Sequence, residues 1–146
     1  MISSNINVYT ADDSGIPISD ILEGLRARGV EASWERDDFF DEDDPLQAGT
    51  FTAPTGEAVE FSVQKIFEEE QEEFAARAAE LPPAVAQLAG RLKNSYRLRA
   101  TAPGRLLWTI VDTIAERTPS LIADADSDDI FDRDAFRAAA GEARGD

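Results

Sequence analysis

Apolar and polar side chains alternate over residues 5–9, which is the period of a half-buried β-strand. Residues 18–25 carry their apolar side chains at helical spacing instead. Pro17 precedes this segment and Gly29 follows it, as at the two ends of many helices. Since residues 30–35 alternate again, the first part of the chain predicts a strand, a helix and a second strand.

The middle of the chain predicts a hairpin and two helices. Residues 50–52 and 59–63 are strand-like and flank the turn-forming residues 54–56, which indicates antiparallel pairing. Apolar residues then recur at helical spacing over residues 67–81 and 85–92. Two prolines lie between these segments, so the two helices are expected to form a bent pair.

The end of the chain predicts two further strands, each followed by a helix. Residues 96–100 alternate like a strand, and the apolar residues between positions 107 and 114 share one face of a helix that Pro119 ends. Residues 121–122 form a short apolar strand. Asp132 is then expected to cap a final Ala-rich helix.

These elements fit a single acidic α+β domain over residues 1–146, without an internal repeat or a long linker. The fold class expected is α+β, with a mixed or antiparallel sheet and helices mainly on one face. A ferredoxin-like core with additions is one such arrangement. The side chains expected in the core are Ile21, Leu25, Trp34, Phe61, Phe74, Leu88, Leu98, Ile110, Val111 and Ile114.

The composition changes what chemistry is available, because the sequence contains no Cys and no His. This excludes a Cys nucleophile, a Ser-His-Asp triad and metal sites built from thiolates or imidazoles. We therefore expect a protein that is not an enzyme and that uses no cofactor. The first residues lack the basic and apolar regions of a signal peptide, and no segment has the roughly 18 apolar residues of a membrane span. A cytoplasmic location is expected.

The net charge of −16 is concentrated in three segments. Residues 35–44, 68–73 and 124–134 carry −6, −5 and −5, and acids and bases balance over the rest of the chain. Such patches attract basic proteins or cations and repel nucleic acid. Negative charge is also favoured at the start of a helix, so a solvated helix surface explains most of the run at residues 68–73.

Residues 37–44 are the preferred candidate for binding a partner, because two adjacent aromatic side chains lie within a dense acidic run. Aromatic side chains rimmed by charge are typical of binding hot spots. The two Phe could instead anchor the loop to the core, and paired carboxylates could act as an acid and a base. The candidate partner-binding residues are Asp37, Asp38, Phe39, Phe40, Asp41, Glu42, Asp43 and Asp44.

Another acidic segment resembles the start of a calcium-binding loop, since Asp124, Asp126 and Asp128 occupy alternate positions. The pattern then departs from such a loop, with Asp129 where Gly is required and Ala135 where the closing Glu is required. We therefore interpret the segment as a solvated turn that ends in a helix cap. The three aspartates remain the alternative, a candidate metal site.

The balancing bases include a local run, Arg91, Lys93, Arg97, Arg99 and Arg105, which could bind a phosphate or an acidic partner. Strand alternation places Arg97 and Arg99 outward, where they are expected to balance the acidic loops of the protein itself. Five bases in so acidic a chain do not indicate direct nucleic-acid binding.

Residues 106–111, 121–124 and 128–136 resemble the ends of small acidic bacterial proteins of the toxin-immunity or uncharacterised type, over about the last quarter of the chain. The resemblance implies an interaction role. Together with the acidic segments, it predicts a non-catalytic protein that binds and neutralises a basic protein partner, with no membrane involved. Two alternatives are open: a divalent-cation-binding or carboxylate-dependent protein, and an accessory subunit of a complex.

Overall fold

The computed structural model describes residues 4–11, 16–37, 47–81, 83–101, 104–127 and 129–143. The strands are β1 (Asn5–Thr10), β2 (Ser33–Arg36), β3 (Gln47–Thr52), β4 (Ala58–Lys65), β5 (Asn94–Ala100), β6 (Ser120–Asp124) and β7 (Ile130–Phe131). The helices are α1 (Ile18–Ala27), α2 (Glu68–Ala76), α3 (Pro83–Ala86), α4 (Arg105–Arg117) and α5 (Arg133–Ala143), with a 3-10 turn at Ala78–Glu80. The α+β class expected from the sequence is confirmed.

The strands form one seven-stranded sheet in the order β2-β3-β4-β5-β1-β6-β7, and every pair of neighbours is antiparallel. Strand β1 lies inside the sheet, with Val8 opposite Tyr96 of β5 on one side and opposite Ile122 of β6 on the other. The predicted strand-helix-strand opening is present, but its second strand, β2, is at the far edge. Neighbours of β1 come from distant parts of the chain instead.

The larger hydrophobic core lies between one face of the sheet and the helices α1, α4 and α5. Of the ten side chains expected in the core, eight are buried, whereas Trp34 and Phe74 are half-buried. Trp34 is at the sheet edge on β2, where it packs against Phe51 with ring centroids 4.7 Å apart. An edge strand has a neighbour on one side only, so part of the indole stays in solvent.

A smaller core covers one end of the opposite face of the sheet. Strand alternation turns Tyr9 and Leu121 to this side, where they pack against Leu81, Val85 and Leu92 from α3 and the turns around it. The helices are therefore mainly, but not all, on one face of the sheet, as the sequence predicts. Helix α2 joins this cluster through Phe74.

Two local expectations were wrong. The helix predicted over residues 85–92 is only the four-residue α3, and turns follow in which Leu88 and Arg91 donate their N–H groups to the carbonyls three residues earlier. Successive turns of this kind bury apolar residues at the same spacing as a helix, and Gly90 disfavours its continuation. The Asp-rich segment after β6, expected to be only a loop, contains β7, where Phe131 lies opposite Ile122.

Candidate functional site

Phe67 and helix α2 form the most unusual surface of the protein. Phe67 directly precedes α2 and is 68% exposed, and no other large apolar side chain among the described residues is classed as exposed. Its carbonyl accepts hydrogen bonds from the N–H groups of Glu70 and Gln71, so the backbone here is part of the helix start. The exposed ring is therefore held at a defined place on the surface.

Four glutamates follow Phe67 in sequence and lie exposed on α2: Glu68, Glu69, Glu72 and Glu73. We call these glutamates and Phe67 the acidic helix surface. None of the four glutamates takes part in an ion pair within the described part of the chain. Glu68, Glu69 and Glu70 are in the first turn of α2, where the helix dipole favours negative charge. This favourable interaction offsets part of the repulsion between the neighbouring carboxylates.

The remaining residues of α2 attach the acidic helix surface to the fold. Phe74 packs edge-on against Tyr9, and the side-chain amide of Gln71 donates a hydrogen bond to the carbonyl of Leu92. Glu70 is half-buried beside Tyr9. Burial, and after it the negative charge of Glu70, raise the pKa of the Tyr9 hydroxyl above its ordinary value.

The arginines of the helical layer pair with acids elsewhere. Asp112 of α4 accepts a hydrogen bond from Nε of Arg133 at 2.9 Å, and its oxygens lie 3.5 Å from Nε of Arg28 and 3.8 Å from Nε of Arg137. Arg28 and Arg133 also pair with Glu116. These arginines hold α1, α4 and α5 together and do not neutralise the acidic helix surface.

The arginines also determine the ionisation of Asp112. Burial by itself raises the pKa of its carboxyl group. The hydrogen bond from Arg133 and the charges of Arg133, Arg137 and Arg28 outweigh burial and hold the pKa below its ordinary value. Asp112 is therefore an ion-pair centre, not a proton donor suited to neutral pH.

Of the candidate partner-binding residues, the structure describes only Asp37. It is exposed, directly follows β2 and donates its backbone N–H to the carbonyl of Ala48 at 2.8 Å. The other candidates lie outside the described residues, and their assignment stays a prediction: Asp38, Phe39, Phe40, Asp41, Glu42, Asp43 and Asp44.

Asp37 also lines a groove of about 380 Å³ on the open face of the sheet, together with Glu60, Arg97 and Arg99. Nη1 of Arg99 donates to the carbonyls of Ile6 and Leu98, and its Nη2 donates to the side chain of Asn7. Burial and the neighbouring charge of Arg97 lower the pKa of Arg99. Arg97 and Arg99 line this groove together with two acids, but the ion pairs of the described residues include neither arginine, so their role in balancing the acidic loops stays a prediction.

Of the three candidate metal ligands, the structure describes Asp124 and Asp126. Asp124 is buried, and its Oδ1 accepts hydrogen bonds from the N–H groups of Asp126 at 2.9 Å and Ser127 at 3.4 Å. The Asp126 carboxylate accepts a hydrogen bond from the side-chain amide of Asn5. Asp128 lies outside the described residues, and the described residues contain no group of three or more side chains placed to hold a metal ion.

The turn before the last helix has the cap predicted for it. Oδ1 of Asp132 accepts a hydrogen bond from the N–H group of Ala135 at 2.7 Å, as an N-cap aspartate does. The geometry around Asp124, Asp126 and Asp132 is that of a hydrogen-bonded turn that leads into α5.

Sequence reasoning missed the exposure of Phe67, which it placed with the apolar positions of a helix. One signal was available, since Glu70 and Gln71 occupy the positions three and four residues later. When those positions are polar, an aromatic residue at a helix start has no apolar neighbour one turn further along the helix.

None of the helices formed by the described residues has the length and apolar character needed to cross a membrane. Comparison with models of protein families, with curated proteins and with solved structures finds no match to this chain.

Proposed function

We propose that this protein is non-catalytic and that it binds and neutralises a basic protein partner through the acidic helix surface. The observation that carries this proposal is the exposure of Phe67, 68%, at the start of a helix whose four exposed glutamates form no ion pairs among the described residues. The absence of Cys and His from the sequence favours binding over catalysis.

The two parts of this surface contribute differently to binding. An exposed aromatic ring is a typical hot-spot anchor, because its burial against a partner removes a large apolar area from water. The carboxylates of α2 attract a basic partner over a distance and raise the association rate. A partner with an apolar pocket rimmed by Lys and Arg fits both parts.

The binding surface extends beyond α2. A stable protein–protein interface buries about 800 Å² on each partner, which is more than one nine-residue helix face offers. The acidic segment at residues 37–44 stays the first candidate for the additional contact, because it repeats the combination of aromatic rings and acids.

The test compares native protein with variants of the acidic helix surface. Proteins captured from the source cells at low and high salt are identified, and the basic ones are purified for rate measurements. Glu68, Glu69 and Glu72 are replaced together by Gln, and Phe67 is replaced by Ala in a separate variant. A matched control replaces Glu23, Glu31 and Glu80, which are also exposed, by Gln.

The glutamate variant should associate at least several-fold more slowly and lose much of the salt dependence, because steering depends on these charges. The Phe67→Ala variant should dissociate faster. Equal rates for the native protein and all variants would show that the surface is wrong. Failure to recover any basic protein that binds at low salt would overturn the proposed function itself.

A further inference from the structure

A groove of about 620 Å³ lies between α4, α5 and the end of α1, away from the acidic helix surface. The aromatic rings of Trp108 and Phe136 line it, both of them almost completely buried. This volume is within the range of small-molecule sites. The lining combines these two rings with charged side chains and is more polar than apolar.

Arginines form the rim of the groove. They differ in how many of their guanidinium N–H groups form hydrogen bonds or ion pairs with other residues of the protein. Arg28 donates to the carbonyl of Gly24 and pairs with Asp112 and Glu116, so its guanidinium is largely engaged. Arg105 makes one hydrogen bond, from Nη2 to the carbonyl of Arg28 at 3.2 Å, and no ion pair with the described residues.

Arg137 is the second arginine at the rim whose guanidinium group is only weakly engaged by the described residues. It is 61% exposed, and the one ion pair recorded for it in the described part of the chain is long, 3.8 Å from its Nε to Oδ1 of Asp112. Asp112 already accepts a shorter hydrogen bond from Arg133 at that same oxygen. Arg137 is therefore weakly held by its partner.

The charges around the groove do not balance. The residues that line the groove include three arginines, Arg28, Arg105 and Arg137, and two acids, Asp112 and Asp134. The surplus is positive in a chain whose net charge is −16. A concave, partly apolar site with a local positive surplus favours an anion over a neutral or cationic ligand.

We propose that this groove binds a small organic anion, with its aromatic or apolar part against Trp108 and its carboxylate or phosphate group between Arg105 and Arg137. A guanidinium binds either anionic group with two parallel hydrogen bonds. This site shares no lining residue with the acidic helix surface.

The two tryptophans allow a direct test by NMR, because Trp108 is in the groove and Trp34 is at the sheet edge. Phenyl phosphate is titrated into protein labelled with nitrogen-15, and the two indole N–H signals are followed. Inorganic phosphate and benzyl alcohol are titrated in parallel, so that the anionic and aromatic parts are tested separately.

Phenyl phosphate should shift the Trp108 signal saturably, with a dissociation constant below about 1 mM, and leave Trp34 in place. Inorganic phosphate and benzyl alcohol should each bind about tenfold more weakly or worse. Arg105→Gln and Arg137→Gln should each weaken phenyl phosphate binding about fivefold, while Arg105→Lys retains part of it. Arg26→Gln removes the same charge from an exposed position of α1 and should have little effect.

Each of several results would overturn the proposal. These are the absence of a saturable shift at Trp108, an equal response of Trp34, and equal affinities in Arg105→Gln and Arg26→Gln. If inorganic phosphate binds as tightly as phenyl phosphate, the aromatic part of the ligand does not contribute to binding. If benzyl alcohol binds as tightly, the anionic part does not contribute. The exposed rim positions of Arg105 and Arg137 allow these variants to stay folded, which the amide spectrum checks.

Discussion

The rings of Tyr9 and Phe74 meet edge to face, with centroids 4.8 Å apart and an interplanar angle of 61°. Tyr9 belongs to a strand inside the sheet and Phe74 to α2, so this contact connects the acidic helix to the sheet. Helix α2 has no fully buried side chain of its own. Its position therefore depends on this aromatic pair and on the hydrogen bond from Gln71 to the carbonyl of Leu92.

Replacement of Phe74 by Leu should lower the free energy of unfolding by about 1 kcal/mol, the usual contribution of an aromatic pair beyond its buried area. Denaturant unfolding measures this change. Phe67→Leu is the matched control, and as an exposed change it should stay within about 0.5 kcal/mol of the native protein. A larger loss from Phe67→Leu than from Phe74→Leu would contradict this account of α2.

Gly24 of α1 is required because α4 approaches it closely. A Cβ atom at this position would overlap Cγ2 of Thr113 and lie 3.3 Å from its Oγ1. Gly24→Ala should therefore destabilise the protein by about 1–3 kcal/mol, as overpacking of a core does. The double variant Gly24→Ala with Thr113→Ser removes Cγ2 and should recover most of the loss, since Ala also has the higher helix propensity.

Gly90→Ala is the control for that experiment. The nearest atom to a Cβ there is Cβ of Ala75 at 3.9 Å, an ordinary contact, so stability should change by no more than about 0.5 kcal/mol. An equal cost of Gly24→Ala in the native protein and in the Thr113→Ser variant would show that the clash is not the cause. Denaturant unfolding of the native protein, the single variants and the double variant measures these differences.

Local pattern was enough to predict the hairpin of β3 and β4 and the ends of α1. The Pro54-Thr55-Gly56 turn lies between two alternating segments, and Gly56 takes the positive φ of 94° that such a turn favours. Gly29, with a φ of 78°, likewise follows α1. These features depend on neighbours in sequence, and sequence reasoning is strongest there.

Strand order could not be predicted in the same way. Alternation in β1 shows which side chains share a face, but not that Val8 lies between Tyr96 and Ile122. These pairings join residues far apart in sequence, and many strands satisfy the same alternation. Strand β7 has only two residues, which is too short for an alternation of polar and apolar side chains to be recognised.

The negative charge of the candidate site could be predicted from the sequence, but the exposure or burial of its side chains could not. The run of acids on α2 is evident in the sequence, whereas the exposure of Phe67 depends on where β4 ends and α2 begins. Asp124 shows the reverse case, since an acid counted with a surface patch is buried and accepts backbone hydrogen bonds.

The hydroxyl group of Tyr9 should ionise above its ordinary pKa of 10.0, first because of burial and second because of Glu70. Ultraviolet absorbance titration detects this, with Tyr9→Phe to separate it from the second tyrosine of the chain. Glu70→Gln should lower the pKa of Tyr9 without abolishing the shift, because burial remains. A Tyr9 pKa that does not respond to Glu70→Gln would contradict the contact between α2 and the sheet.

Because the pKa of Tyr9 is raised in the folded protein, the free energy of unfolding depends on pH in a predictable direction. Its neutral form is favoured in the folded state, so the stabilisation is complete below the unfolded-state pKa and is lost as pH rises through the folded-state pKa. Native protein should therefore lose stability relative to Tyr9→Phe at strongly alkaline pH. Urea unfolding at pH values on both sides of 10.0 measures this difference.

Asp112 should stabilise the protein at neutral pH through Arg28, Arg133 and Arg137. Although burial alone would raise its pKa, the three arginines hold the pKa below the ordinary value of 3.8. The charged form is favoured in the folded state, so the stabilisation is present above the unfolded-state pKa and is lost as pH falls through the folded-state pKa. Asp112→Asn should therefore cost about 1–3 kcal/mol at pH 7.

The pH dependence of the free-energy cost of Asp112→Asn distinguishes the contribution of the ion pairs of Asp112 from a contribution of packing. If the charge of Asp112 is what matters, the difference in unfolding free energy between native protein and Asp112→Asn should shrink as pH falls below about 4. Glu23→Gln changes the net charge equally at an exposed position and controls for the overall repulsion of an acidic chain. A difference that stays constant from about pH 7 to about pH 3 would show that the Asp112→Asn change disturbs packing, and that the arginines do not depend on the Asp112 charge.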